Sequence, residues 1–182
     1  MSVFTNPATV AAAAGEGYVR ALLEVLGDAE PMAVLAELPA ALASLTRGVP
    51  RRTLGTPEAP GKWSMIDVIQ HLADSEIVLG YRLRMALAHD EPPLQGFDQD
   101  LWAARLHYRD ASLGSALSQL RPLRAANLRL VRSLDEGELQ RAAVHAERGR
   151  TSVAEMLRLA AAHDLVHRRQ IARIARSHAA LP

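Results

Sequence analysis

The chain has 182 residues, a length that suits one domain and is long enough to bury a substantial core. Hydrophobic residues make up 49% of it, only seven residues are aromatic (two Trp, three Tyr, two Phe), and alanine and leucine dominate, so the composition favours an all-α protein. The formal charge is +1 and the basic residues are spread along the chain, which gives no electrostatic reason to expect nucleic acid or a membrane as partner.

Cysteine is absent, which excludes disulfides, thiolate metal ligands and a cysteine nucleophile. Any bound metal must therefore use nitrogen and oxygen ligands. The N-terminus lacks a positively charged start before its apolar stretch, and no run reaches the roughly eighteen apolar residues that a membrane span needs. We expect a cytoplasmic protein.

The first 30 residues predict an N-terminal helical extension. Asn6 and Pro7 suit the N-cap and first position of a helix that is expected to reach Leu26 and to stop at Gly27. The rest of the chain continues with further helical patterns.

Pro31 can open the second helix, but Pro39 lies inside the same pattern and is expected to break or kink it. The pattern then predicts a short helix followed by another over about Leu38–Arg47. Residues 48–62 carry Pro and Gly at turn spacing and predict a loop.

The next helix is predicted to begin at Ser64, which can form an S-x-x-D capping box with Asp67, while Trp63 precedes the cap. Its inward stripe advances by alternating steps of three and four residues: Met65, Ile69, Leu72, Glu76, Leu79 and Leu83. His71 lies on the neighbouring stripe and faces the interior or its edge. Glu76 lies within the apolar stripe, where a carboxylate needs a cation, a donor or a metal.

Residues 89–110 form a connection longer than most helix connections. Within it the segment LWAARLHY predicts a short helix, and Asp110 is expected to cap the helix that follows.

That following helix has one seam of alternating steps: Leu113, Ala116, Leu120, Leu123, Asn127, Leu130 and Leu134. Asn127 is its only polar member, Arg124 lies one turn before it, and Pro122 is expected to kink the helix. Residues 135–150 are expected to form a second loop.

The last helix is predicted to begin at Thr151 or Ser152, with Glu155 completing an S-x-x-E capping box. Together these elements predict a four-helix bundle with an N-terminal helical extension. We expect a single domain over residues 1–182, with the bundle core at about 33–176.

Two histidines lie one turn apart on the inward face of the last helix, which reads Val153, Met156, Ala160, His163, His167, Gln170 and Ile174. With His71 from another helix, His163 and His167 could hold a divalent metal and leave coordination positions open. Three separately hydrogen-bonded core histidines are the alternative. A di-iron site is excluded because no Glu-x-x-His pair occurs, and the H-D-x-x-H segment resembles the zincin motif H-E-x-x-H only loosely.

Five short motifs carry a family resemblance: GKWS (61–64), HLADSE (71–76), FDQDLW (97–102), RAAN (124–127) and HDLVHRRQI (163–171). In this order and spacing, residues 33–174 resemble the DinB/YfiT superfamily.

The resemblance implies a four-helix bundle in up-down-down-up order that holds one divalent metal through His71, His163 and His167. Zinc or nickel is the expected ion, with iron or manganese as alternatives. Characterised members include thiol S-transferases that use low-molecular-weight thiols and mycothiol-dependent isomerases. On this topology His145 lies at the far end of the bundle, so we leave it out of the site.

The resemblance favours a metal-dependent thiol S-transferase, with a small-molecule thiol and an electrophilic substrate as partners. Glu76, Arg124 and Asn127 could orient a substrate, or could form buried hydrogen bonds and a Glu76–Arg124 ion pair. A metal-dependent hydrolase and a non-catalytic ligand- or partner-binding bundle with a structural metal are the alternatives, and a homodimer remains one option for the assembly.

Overall fold

A computed structural model of the chain describes residues 12–179, in which eight α-helices and three short strands occur. The helices are α1 (Ala12–Leu26), α2 (Pro31–Leu45), α3 (Arg51–Leu54), α4 (Met65–Ala88), α5 (Gln99–Arg105), α6 (Leu113–Arg132), α7 (Glu136–Gln140) and α8 (Val153–Ala179). The strands are β1 (Pro93–Leu94), β2 (Ala142–His145) and β3 (Gly149–Ser152), and a 3-10 helix covers Tyr108–Asp110. The predicted start of the first helix at Asn6 lies outside the described residues, and its predicted end at Leu26 is confirmed.

Two layers of core side chains show how the four long helices run. One layer joins the first half of α2, the ends of α4 and α6 and the start of α8: Val34, Leu35, Leu83, Ala86, Leu128, Val131, Val153 and Met156. The other joins the second half of α2, the starts of α4 and α6 and the end of α8: Leu38, Leu42, Met65, Ile69, Ala116, Leu120, Ile171 and Ile174. Helices α2 and α8 therefore run one way and α4 and α6 the other, which confirms the up-down-down-up four-helix bundle. Helix α1 packs on the outside of α8 through the first layer.

The connection between α4 and α6 crosses the length of the bundle, because α4 ends in one core layer and α6 starts in the other. We call residues 89–112 the crossover link. It carries β1, α5 and the 3-10 helix. Its short helix begins at Gln99, two residues before the predicted segment, because Asp98 accepts hydrogen bonds from the backbone N–H groups of Asp100 and Leu101.

The predicted capping boxes that start α4 and α8 are confirmed. Ser64 and Asp67 exchange hydrogen bonds, with the Ser64 N–H donating to Asp67 Oδ2 over 2.8 Å. Ser152 and Glu155 do the same at the start of α8, with a 2.7 Å bond from the Ser152 N–H. These caps fix where each helix begins and so which residues turn inward.

The expected break at Pro39 is wrong, because α2 runs through it without interruption. A proline inside a helix leaves the carbonyl four residues earlier without its N–H donor. Here that carbonyl belongs to Leu35, and the buried guanidinium of Arg124 donates to it. Helix α6 likewise continues through Pro122.

Three further expectations need correction. Asp110 does not cap α6, because Ser112 takes that role and exchanges hydrogen bonds with Ser115. The predicted loop at 48–62 contains α3, and the predicted loop at 135–150 contains α7 and an antiparallel β2–β3 hairpin. Strand β1 of the crossover link pairs with β2 in parallel, which completes a three-stranded sheet.

Among the described helices, none is both long enough and apolar enough to cross a membrane.

Candidate metal centre

The structure brings together the three histidines that the sequence singled out. His71 projects from α4, and His163 and His167 project from neighbouring turns of α8. The Nε2 atom of His163 lies 3.0 Å from the Nε2 atoms of both other rings. His71 and His167 are buried and His163 is half-buried. Among residues 12–179 these three form the one group of potential metal ligands, with donor atoms within 4.8 Å of one another.

All three imidazoles are held in the neutral form that a metal ligand needs. Burial lowers the pKa of His71 well below its usual value, with the His167 ring as a second cause. Burial also lowers the pKa of His163, assisted by the other two rings and by Arg124. The pKa of His167 falls to about 4 through burial, against the opposing effect of a hydrogen bond with Gln170.

A proton count supports a cation at this centre. The Gln170 Oε1 atom lies 2.8 Å from His167 Nδ1 and accepts its proton, so His167 Nε2 carries a lone pair. The His163 Nε2 atom is common to both 3.0 Å contacts and either donates one proton or accepts one from His71, so at most one of the two contacts is a hydrogen bond. Two nitrogens that each bind one tetrahedral zinc ion at about 2.0–2.1 Å lie about 3.3 Å apart, which is close to the observed 3.0 Å spacing.

Gln170 is the residue beside the centre to which sequence reasoning gave no role. Its side chain fixes the tautomer and the ring orientation of His167, as hydrogen-bond partners of metal-ligating histidines do. The sequence feature that indicates this role is the i, i+3 spacing, which places His167 and Gln170 on one face of the helix. His71 Nδ1 is buried and has no hydrogen-bond partner among the described residues.

Arg124 connects the helices that carry the histidines. Its Nη2 lies 2.8 Å from Glu76 Oε1 of α4, and its Nη1 lies 2.7 Å from Asp164 Oδ2 of α8. All three side chains are about 3% exposed. The predicted Glu76–Arg124 pair is therefore present, and Asp164 is a second buried partner that the sequence did not reveal. Burial alone would lower the pKa of Arg124, but the carboxylates of Asp164 and Glu76 outweigh it and raise that pKa.

Asn127 completes this polar network. Its Nδ2 atom donates to the backbone carbonyl and to Oε2 of Glu76, both over 3.1 Å, and Arg84 donates to its Oδ1 atom. A side chain on Gly80 would lie 2.7 Å from Asn127 Oδ1, so the glycine permits this close approach between α4 and α6. Each of the predicted polar residues Glu76, Arg124 and Asn127 thus has partners within the bundle.

The loose H-D-x-x-H match to zincins does not extend to its chemistry. The motif requires a free carboxylate as general base between the two histidines. Asp164 occupies that position in the sequence, yet its carboxylate is buried and bound to Arg124. Burial raises the pKa of Asp164 to about 6, and Arg124 opposes this rise.

His145 lies in β2 and is not part of the three-histidine group. Its Nε2 atom lies 3.1 Å from Arg82 Nη2, and the N–H of Glu147 points at its Nδ1 atom. Burial, followed by the positive charges of Arg148 and Arg82, lowers the pKa of His145 to about 3.

Aromatic rings adjoin His71 on the side of the crossover link. The centroid of the Trp63 ring lies 5.0 Å from that of His71, and the Phe97 centroid lies 6.4 Å from it. Phe97 in turn contacts Trp102, with 4.5 Å between centroids.

The fold and the site together define a helical bundle with a buried three-histidine centre on two antiparallel helices. Residues 35–171 match the sequence model of the DinB superfamily. The chain belongs to the DinB superfamily, as the sequence motifs predicted.

Similar proteins carry names that propose a metal-dependent hydrolase. One from Geobacillus thermodenitrificans is 30% identical over 112 residues, which are 62% of this chain and 63% of that protein. Another, from Oceanobacillus iheyensis, is 28% identical over 131 residues, 72% of this chain and 76% of its own. YfiT from Bacillus subtilis is 28% identical over 62% of this chain and 63% of its own length.

A solved structure of Bacillus subtilis YfiT matches the fold with a TM-score of 0.75 at 21% identity, covering 97% of this chain and 94% of that one. It is described as a probable metal-dependent hydrolase with an unusual four-helix bundle topology.

Proposed function

We propose that His71, His163 and His167 hold one divalent ion, zinc or nickel, and that the protein is a thiol S-transferase. The observation that supports this proposal most is the grouping of three neutral imidazoles whose donor atoms lie within 4.8 Å of one another. Imidazole ligands suit zinc, nickel and iron alike, and zinc is commonly held by three protein ligands in catalytic sites. Because the three ligands are neutral imidazoles and none is a carboxylate, the protein ligands would neutralise none of the positive charge of the ion.

Such an ion lowers the pKa of a coordinated thiol or water, so that thiolate or hydroxide is available at neutral pH. The residues of the chain have separate roles around it. The three imidazoles bind the ion, Gln170 fixes the tautomer of His167, and Arg124 holds α8 against α4 through Asp164 and Glu76.

A thiol nucleophile suits the charge distribution of the site. The buried carboxylates Glu76 and Asp164 are both paired with Arg124, so neither is free to serve as a general base for water. A thiol has a pKa of about 8.5 and needs less assistance to lose its proton than water does. Its sulfur would then form a bond to an electrophilic carbon of the second substrate while the bond from that carbon to its leaving group breaks, and the leaving group would depart with the bonding electrons.

A metal-dependent hydrolase is the second candidate, because the names of the relatives propose that activity. The same three-histidine centre would serve it, with water in place of the thiol.

The metal assignment is tested by elemental analysis of protein purified without an affinity tag, followed by titration of single alanine variants. We expect one ion per chain, and weaker binding in His71→Ala, His163→Ala and His167→Ala. His89→Ala changes an exposed histidine and should bind like the wild type. Undiminished affinity in all three triad variants would remove the basis of the proposal.

The two activities are separated by a screen of the metal-loaded protein. Bacillithiol, mycothiol, glutathione and coenzyme A are each tested with a generic electrophile, in parallel with activated ester hydrolysis without thiol. Thiol-dependent turnover that is lost in His163→Ala supports the transferase. Ester hydrolysis alone, with the same sensitivity, would replace it with the hydrolase.

A further inference from the structure

Three of the seven aromatic residues of the chain lie at the three-histidine centre. Only seven occur in 182 residues, yet both tryptophans and one of the two phenylalanines lie in a contiguous group at His71. We call Trp63, Phe97 and Trp102 the aromatic wall. All three rings are half-buried, in contrast to Tyr108, which is 1% exposed.

The crossover link carries two members of this wall along the outside of α4. At one end of the link, β1 pairs with β2 of the hairpin. At the other end, Tyr108 is buried against α4. Phe97 and Trp102 lie between these two anchors, so their position beside His71 is fixed from both sides.

Core packing does not account for Phe97 and Trp102. Trp63 packs against the core layer that includes Met65 and Ile69, so part of its surface serves the fold. Phe97 and Trp102 pack against neither core layer, and α5 contains no buried residue. In a chain that fills its core with leucine and alanine, two half-exposed rings in contact beside the histidines provide a planar surface for a ligand.

We propose that the aromatic wall binds a planar aromatic or conjugated group of the substrate while the reacting atoms lie at the three-histidine centre. This inference rests on the proposed function, since it needs an ion with an open coordination position. Offset or edge-to-face contacts with Phe97 and Trp102 select a substrate that carries a planar group. The ion binds the reacting atoms and does not distinguish substrates by the shape of the rest of the molecule. The residues of the wall are thus specificity determinants.

The test compares two hydroxamates that chelate metal identically and differ in one substituent, benzohydroxamate and acetohydroxamate. Their affinities for zinc-loaded protein are measured by calorimetry and by tryptophan fluorescence, since both tryptophans belong to the wall. We expect the wild type to bind benzohydroxamate about tenfold more tightly, the magnitude expected from one or two aromatic contacts. Trp102→Leu and Phe97→Leu should each reduce this ratio to about threefold or less, with acetohydroxamate affinity unchanged.

Tyr81→Leu is the matched control, because it removes an aromatic ring on α4 that is 58% exposed and outside the wall. It should leave the ratio at its wild-type value. The helical spectrum of each variant is recorded, and Phe97→Leu decides the matter if Trp102→Leu does not fold.

Two negative outcomes have different meanings. If acetohydroxamate binds but benzohydroxamate gains nothing, or if both wall variants keep the full ratio, the aromatic inference is overturned and the open metal position stands. If neither hydroxamate binds zinc-loaded protein, the ion has no open position, and the proposed function is overturned together with the inference.

Discussion

A single guanidinium contacts all four bundle helices. Arg124 belongs to α6, donates to the Leu35 carbonyl of α2, and pairs with Glu76 of α4 and Asp164 of α8. A buried ion-pair network adds little to the free energy of unfolding compared with an apolar replacement of the same shape. Removal of one partner, however, leaves a buried charge without its counter-charge. The network therefore makes the relative placement of α4 and α8, and with it the histidine geometry, sensitive to single substitutions.

Glu76→Gln tests whether this network is part of the scaffold. The amide keeps the shape and can still hydrogen-bond, so we expect an intact helical spectrum and most of the metal affinity. The free energy of unfolding should fall by about 3 kcal/mol or more, because Arg124 loses one buried counter-charge.

Glu37→Gln is the control, since Glu37 is 64% exposed and pairs with Arg168 over 3.3 Å; its variant should change stability by less than about 1 kcal/mol. Both variants are compared by urea unfolding. Complete loss of bound metal in Glu76→Gln, with helix content retained, would instead make Glu76 a metal ligand. A fall in turnover that far exceeds the fall in stability would assign Glu76 to the substrate.

Gln170→Leu tests the orientation of His167. Without an acceptor for its Nδ1 proton the ring can rotate or change tautomer, so we expect metal affinity to fall by about 10- to 100-fold. Gln170→Glu retains an acceptor at the same place and should keep most of the affinity. Metal titration of both variants measures the difference, and equal affinities would show that the 2.8 Å contact does not control the ligand.

At the scale of elements, the two helical prolines should respond differently to replacement. Pro39→Ala restores an N–H to α2, but the Leu35 carbonyl that it would bond already accepts from Arg124. Pro122 is exposed on α6, and its replacement restores a helix bond without displacing a buried donor. We therefore expect Pro122→Ala to raise the free energy of unfolding by at least about 1 kcal/mol more than Pro39→Ala does. Equal increases in the free energy of unfolding, measured with urea, would mean that the Leu35 carbonyl accepts from both Arg124 and the new N–H.

The hairpin gives the protein a specific sensitivity to acid. The pKa of His145 is about 3 in the folded state and near 6.5 when the ring is exposed, so the unfolded state binds the extra proton between these values. The stability associated with neutral His145 is complete above pH 6.5 and is lost as the pH falls towards 3. We expect His145→Gln to lower stability at pH 7 and to flatten its decline between pH 6.5 and 4. Urea unfolding at both pH values, with His89→Gln as control, measures this change, and an unaltered decline contradicts it.

Sequence patterns predicted the elements whose signals are local. The capping boxes at Ser64 and Ser152 and the alternating apolar spacing defined α4 and α8, because both depend on neighbours three or four residues away. The effect of Pro39 was mispredicted because the donor that satisfies Leu35 lies on another helix, 89 residues away in sequence. The β2–β3 hairpin was missed because four-residue strands carry too short a pattern to be recognised.

For the candidate site, too, the features with local sequence signals were predictable and those that depend on distant residues were not. The grouping of His71, His163 and His167 could be predicted because each lies on an inward helical face and because the motifs match a family, and their role as metal ligands stays a prediction. Asp164 was assigned no structural role, since nothing local indicates that a residue beside a seam histidine reaches Arg124. Its pairing depends on the crossing of α6 and α8, which a single sequence does not specify.

For the whole molecule, we expect metal to raise thermal stability. An ion that binds only the folded protein stabilises it by about 4 kcal/mol when its free concentration is 1,000 times the dissociation constant. For a chain of this length that corresponds to an increase in Tm on the order of 10 °C. Calorimetry of stripped and reloaded protein measures the shift, and the protein with all three histidines replaced should show none. A Tm that ignores metal in the wild type contradicts the site.

The separation of His71 and His163 in the chain has a consequence for the unfolded state. These residues are 92 positions apart, and ligation of one ion by both would close that stretch into a loop. In the chain-entropy description a permanent cross-link of this span is worth about 4 to 5 kcal/mol, through the conformations that it removes from the open chain, whereas an ion that leaves on unfolding stabilises only through its binding to the folded protein. The protein has no cysteine with which to form such a link. A metal bridge would join the two helices of the folded protein until a chelator or acid released the ion, so resistance to protease digestion should follow the availability of the ion.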